Sequence, residues 1–186
     1  MLLVLRPSLV LAALVVAAAA GASGSAAERS GPAAPRETSP FFFVSKSENR
    51  NQVHYVVQVD ETCAPVGKAP VRAFWRDYER GKTATSPLLD HEQRAYGFAR
   101  QRVVVRGPSG GEISMALRAL PGRELTVRVR KEPTGACTAL AYTEIAGEPA
   151  RLYFVHVVLR TLGVGSIVLS GWATEGGRPV REVIRP

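Results

Sequence analysis

Along most of the chain apolar side chains recur at every second position, the spacing of a pleated strand with one face buried. Val53, Tyr55, Val57 and Val59 alternate with His54 and Gln58, and Val71, Ala73 and Trp75 alternate with Arg72 and Arg76. Leu125, Val127 and Val129 alternate with Thr126, Arg128 and Arg130, so the pleat sends those arginines to solvent. Similar runs at 98–105, 137–145, 152–159, 166–173 and 180–184 predict further strands. Gly107-Pro108, Pro121-Gly122, Pro133-Thr134-Gly135, Gly147-Glu148-Pro149 and Gly176-Gly177 supply the turns between them. Residues 112–120 fit both periods; read as a strand, they turn through Pro121-Gly122 into the next one. One segment departs from the pattern. Ser86 is a good helix cap with Pro87 at the first helical position, Gly97 is a stop, and Leu88, Leu89, Ala95 and Tyr96 share a side at helical spacing. The pattern predicts an all-β fold: an antiparallel meander of about eight to ten strands, closed as a barrel or stacked as a sandwich, with one short helix.

The first residues carry a different pattern. Residues 1–22 have a basic start at Arg6, an apolar run over 9–20 and then small residues, the layout of a secretory signal peptide. The run is too short for a spanning helix, which needs roughly 20 apolar residues. Ala20-Gly21-Ala22 forms a small-x-small cleavage site, and Ser25-Ala26-Ala27 a second one. Residues 23–40 are small, polar and proline-bearing, with too little apolar surface to offset their ordering entropy, and read as a disordered linker. The apolar block Phe41-Phe42-Phe43-Val44 opens a single β domain over 41–186, where no later run is long or apolar enough to hold the chain in a membrane. The expected product is exported, periplasmic or extracellular.

Export changes the meaning of the cysteines and of the charge. The two cysteines of the chain, Cys63 and Cys137, are expected to form a disulfide in an oxidising compartment. Closing a loop of roughly 70 residues contributes ~4 kcal/mol in the chain-entropy model. Residues 1–27 carry only Arg6 as a charged side chain, so the mature chain keeps nearly all of the net +8. In the cytosol such a balance would point to nucleic acid; an exported chain meets anionic envelope components instead. Arginine-rich strand faces (Arg118, Arg128, Arg130, Lys131) are one candidate surface for these, and a general alanine and arginine bias in composition is the plain alternative.

Four groups of residues could carry chemistry. Gly107-Pro108-Ser109-Gly110-Gly111 spells the G-x-S-x-G nucleophile elbow after an apolar strand, with Glu124 or Glu132 and then His156 following in order. That motif belongs to strand-to-helix turns of parallel α/β sheets, however, and the same residues make an ordinary loop between strands. His54, His91 and His156 are too scattered for a metal motif, and His156, mid-strand among Phe154, Val155, Val157 and Val158, reads as a structural histidine. The carboxylates Asp60, Glu61, Asp77, Glu79, Asp90 and Glu92 are not paired by any spacing. Most distinctive is the polar stretch Ser45-Lys46-Ser47-Glu48-Asn49-Arg50-Asn51 between two apolar strands, which suits a structured turn or a polar ligand site on a rigid scaffold.

That stretch, with Phe43-Val44 before it and Gln52-Val53-His54-Tyr55 after it, also carries a resemblance. Together with Pro70-Val71, Trp75, Arg94-Ala95-Tyr96-Gly97, Gly147-Glu148-Pro149-Ala150-Arg151-Leu152 and the closing 171–182 segment, it resembles the bacterial family catalogued as domain of unknown function number 4833. The resemblance implies one compact domain and supports the strand at 112–120; it brings no substrate, cofactor or catalytic residue. Glu48 and Arg50, standing around the asparagines, depart from the family pattern. The expectation is an exported, non-catalytic binding or structural module of the cell envelope. Its ligand site would be formed by Ser45, Lys46, Asn49, Asn51 and Tyr96, with no metal or cofactor and with a small ligand or an anionic envelope component as partner. The rival expectation is an envelope hydrolase or esterase using Ser109 or an unrecognised acid pair.

Overall fold

The computed structural model describes residues 34–78, 84–161 and 163–185. The expected signal peptide at 1–22, and the linker as far as residue 33, lie outside the described residues. The chain order is β1 (Arg36–Glu37), β2 (Phe42–Lys46), β3 (Gln52–Val59), β4 (Val71–Asp77), β5 (Ala84–Pro87), α1 (Asp90–Tyr96), β6 (Phe98–Gly107), β7 (Gly110–Leu117), β8 (Glu124–Lys131), β9 (Cys137–Ile145), β10 (Glu148–Arg160), β11 (Gly163–Ala173) and β12 (Pro179–Ile184). The all-β reading holds, as does a strand within 112–120, now part of β7.

Three details of the expected architecture are corrected. The described residues form a 12-stranded sheet rather than eight to ten strands. The sheet is not closed into a barrel: its path runs β5-β4-β3-β2-β10-β9-β8-β7-β6, and its end strands β5 and β6 do not pair with each other. Nor is it one meander, because β2 runs parallel to β10, with Phe43 beside Phe154 and Ser45 beside His156. All other pairings among the described residues are antiparallel. The physical reason lies in β10. It pairs β11 along one edge from Ala150 to Arg160, and its other edge takes two neighbours in tandem, β9 as far as Leu152 and β2 from Phe154.

Two branches therefore leave that shared edge of β10, one through β2–β5 and one through β6–β9, while β11 and β12 follow its other edge. The two branches share a core in which Val44, Val53 and Tyr55 of the first branch join Ile113, Leu125 and Val127 of the second. Phe42 stacks on Tyr55 at 4.3 Å, and Tyr55 meets the edge of Phe98 at 5.9 Å. The Gln101 side chain bonds the backbone N–H and C=O of Val71, at 2.9 and 3.2 Å, tying β6 to β4. Cys63, after β3, is bonded to Cys137 at the start of β9, so the expected disulfide also spans the branches. The described end of the expected linker, residues 34–40, lies against β3, where Thr38 is buried and its hydroxyl accepts the Val57 N–H at 3.1 Å.

The helix is shorter and later than its sequence signals suggest. Ser86 and Pro87 belong to β5, where they pair with Trp75 and Phe74. Helix α1 begins at Asp90, with the Glu92 carboxylate accepting the Leu89 N–H at 2.8 Å. Gly97 does end it. Its φ is an ordinary −75°, so close approach is the reason for glycine: a Cβ there would collide with the Gln93 carbonyl. The helix buries none of its residues fully, and Leu89 stands 60 % exposed beside it. No helix among the described residues is long and apolar enough to cross a membrane.

Candidate functional site

Alternation along β2, β3, β4 and β10 places Val44, Val53, Trp75 and Val155 on the core side and Phe43, His54, Phe74 and Phe154 on the other. On that outer face a cross-strand ladder forms: Phe154 lies 4.9 Å from Phe43, Phe43 stacks 5.6 Å from His54, and His54 stacks 6.0 Å from Phe74. At one end of the ladder, under the β2–β3 turn, is an open pocket of about 700 Å³. Its lining includes Ser45, Asn49, Arg50, Gln52, Tyr78 and His156.

Hydrogen bonds inside the pocket wall decide what it can offer a ligand. Asn49 Oδ1 accepts the Asn51 N–H at 3.1 Å, closing an Asx turn, which leaves the Asn49 amide N–H groups as donors. Gln52 Oε1 accepts from His54 Nε2 at 2.9 Å, with the same effect on the Gln52 amide. Ser47 Oγ accepts the Leu159 N–H at 3.0 Å. The Gln52 amide oxygen can only accept, so His54 donates through Nε2; burial, and then the Arg76 guanidinium, pull the His54 pKa down to about 4, which keeps the ring neutral with Nε2 as its one N–H. His54 Nδ1 is buried without a partner among the described residues. Arg50 is exposed on the rim and has no ion-pair partner among the described residues.

The five residues expected to form a site are only partly brought together. Ser45, Lys46 and Asn49 line this pocket. The Lys46 ammonium, though, is drawn to the core side of the strand, 3.5 Å from Glu48 and 5.6 Å from the Trp75 ring centre. Asn51 has a positioning part, its Oδ1 accepting the Tyr78 N–H at 3.0 Å. Tyr96 is elsewhere, on α1, with its ring edge-on to Trp75 at 5.5 Å and its carbonyl accepting the Tyr55 hydroxyl at 2.7 Å. Burial, followed by the charges of Glu48 and Glu92, raises the Tyr96 hydroxyl pKa above the usual phenol range.

The sequence reading missed the contact that matters most here: Ser45 Oγ and His156 Nδ1 are 2.7 Å apart, joined by the parallel pairing of β2 with β10 across 111 positions of chain. No local spacing could have signalled it. The arrangement needed by the Ser109 esterase reading is not formed. Ser109 sits exposed in the two-residue turn of the β6–β7 hairpin, a strand-to-strand turn rather than an elbow into a helix, while the His156 nitrogen faces Ser45.

Other surfaces are more self-satisfied. A depression of about 660 Å³ between β4, β5 and α1 holds Glu37 and Arg72, which pair with each other at 3.0 Å. On the arginine-rich faces, Arg128 pairs with Glu112 at 3.3 Å and Arg130 with Glu132 at 2.7 Å, so those strands are not bare cations. Among the described residues no group of three or more His, Cys, Asp or Glu is placed to hold a metal ion.

These features define a disulfide-linked all-β domain with a hydrogen-bond-donating pocket on one sheet face. The chain belongs to the family described as Domain of unknown function (DUF4833), which matches residues 42–183 and so covers both branches, the pocket and the disulfide. No curated protein and no solved structure matches the chain significantly.

Proposed function

We propose that this chain is an exported binding module of the cell envelope that takes a small anion, or the anionic group of an envelope component, in the pocket under the β2–β3 turn. The observation that carries the reading is the polarity of the wall. Its amide oxygens are engaged internally, so Asn49, Gln52 and Arg50 turn N–H groups toward whatever enters, which suits a phosphate or carboxylate. Among the described residues no acidic side chain lines the pocket. Export is supported by the leader-like pattern of residues 1–22 and by the Cys63–Cys137 disulfide, a bond favoured outside the cytosol.

The test is a titration of the isotopically labelled protein with inorganic phosphate and, separately, succinate, followed by amide NMR. Saturable shifts confined to residues 45–52 and 155–157 are expected, with Arg50→Ala weakening binding about five- to tenfold, roughly the worth of one charge-assisted contact. Shifts that do not saturate, or that centre on another face, would refute the site. Fusion of residues 1–27 to a reporter active only outside the cytosol tests the address.

A further inference from the structure

We propose that Ser45 and His156 form a nucleophile–base pair, and that the pocket hydrolyses carboxylic esters bearing an acidic group. The inference rests on the pocket reading for how that acidic group is held, and adds to it a reaction. Ser45 Oγ lies 2.7 Å from His156 Nδ1, within the reach a general base needs. Both residues are half-buried in the pocket wall, open to a ligand yet carried on paired strands rather than loops. Register fixes their apposition, since Ser45 and His156 are direct partners in the parallel ladder. The neighbouring hydroxyls are committed differently: Ser47 accepts a backbone N–H, and Ser114, on the other branch, donates to the Glu124 carboxylate.

The step balances without a redox partner. With its proton on Nε2, His156 presents the Nδ1 lone pair to the Ser45 hydroxyl. Oγ attacks the ester carbonyl carbon and its proton passes to Nδ1; the carbon–oxygen bond to the alcohol breaks, and the alcohol leaves with that proton. Water then attacks the acyl carbon, gives a proton to Nδ1, and the acid departs as Ser45 regains its hydrogen. The Asn49 and Gln52 amides line the same pocket and are the donors available to a developing oxyanion.

The experiment treats the oxidised full chain with a fluorophosphonate and locates the adduct by intact mass and peptide mapping. One adduct is expected, on Ser45. It is absent in Ser45→Ala, unchanged in Ser109→Ala, and slowed about 100-fold in His156→Asn, the scale of a lost general base. Near-ultraviolet circular dichroism checks that the variants stay folded, and the wild-type result needs no variant at all. Absence of a Ser45 adduct, or labelling indifferent to His156→Asn, overturns the pair. Saturating phosphate should slow labelling at least severalfold. Labelling that phosphate does not touch would leave the pair standing and sink the anion pocket, whereas phosphate binding without labelling would do the reverse.

Discussion

Removal of the disulfide gives the sharpest test of how the two branches are held together. Cys63 and Cys137 are 74 positions apart, and in the chain-entropy model a cross-link of that span constrains the unfolded chain by about 4.4 kcal/mol at 25 °C. The native loop needs little help from the bond to keep its shape: Asp60 Oδ1 accepts the backbone N–H groups of Thr62 and Ala64 at 2.8 and 2.9 Å, and Pro65 bridges back to Val59. Cys63→Ala/Cys137→Ala should therefore fold to the same structure with roughly 4 kcal/mol less stability. With a urea m-value of about 2 kcal/mol/M, the midpoint falls by roughly 2 M, and the slope rises slightly because the unlinked unfolded chain exposes more surface. Backbone conformation sharpens the expectation. Cys63 has φ +67°, a left-handed geometry that costs an alanine about 1–2 kcal/mol and a glycine nothing, although glycine gives back about 0.5–1 kcal/mol as a freer unfolded chain. Cys63→Gly/Cys137→Ala should thus be the more stable of the two double variants by about 0.5 kcal/mol. A midpoint shift below roughly 0.5 M for either would refute the argument that the bond acts by restraining the unfolded chain.

Two further outcomes are expected. Burial, then the nearby Arg76 charge, lowers the folded His54 pKa from the ordinary 6.5 to about 4, so the unfolded chain binds the proton first: stability is full above pH ~6.5, falls as pH drops through the window to ~4, and loses roughly 2–3 kcal/mol across it, a slope that His54→Phe should flatten in urea titrations at stepped pH. Tyr55→Phe removes the hydroxyl that donates to the Tyr96 carbonyl at 2.7 Å and should cost about 1–2 kcal/mol by denaturant unfolding, with the phenyl ring still stacked on Phe42.

What the sequence disclosed and what it concealed divide along physical lines. Leu125, Val127 and Val129 are buried and Arg128 and Arg130 exposed, as period-two alternation requires, because facing a core is a local property of a pleated strand. The Ser86-Pro87 signal failed because a tertiary pairing overrode a local preference. Both residues extend the edge strand β5, where a proline without an N–H is tolerated. Asn49 was legible as a turn former, and its Asx turn is what leaves a donor facing the pocket. Tyr96 was grouped with it by family likeness, yet it packs on the core-facing Trp75 rather than at the pocket, since likeness carries no information about which face a residue occupies. The branch and the parallel pair were illegible for a different reason: alternation reports which way side chains point and is silent about which strand lies alongside.

Strand β10 is where that silence matters, because one strand sets both the fold and the site. It is 13 residues long, enough for two shorter strands to share an edge, and Tyr153 falls at the shift in register between Leu152 and Phe154. Antiparallel β9 stops at Leu152, and parallel β2 starts at Phe154, so the residues beyond the shift meet the β2 branch alone on that edge. His156 stands two positions past Phe154 on the same face, which puts it opposite Ser45 and not opposite any residue of β9. Had the chain closed as a simple meander, β2 and β10 would have had no reason to touch, and a serine and a histidine 111 positions apart would share no hydrogen bond. The departure from a meander is therefore what brings the two together, and the pocket belongs to the branch point rather than to either branch.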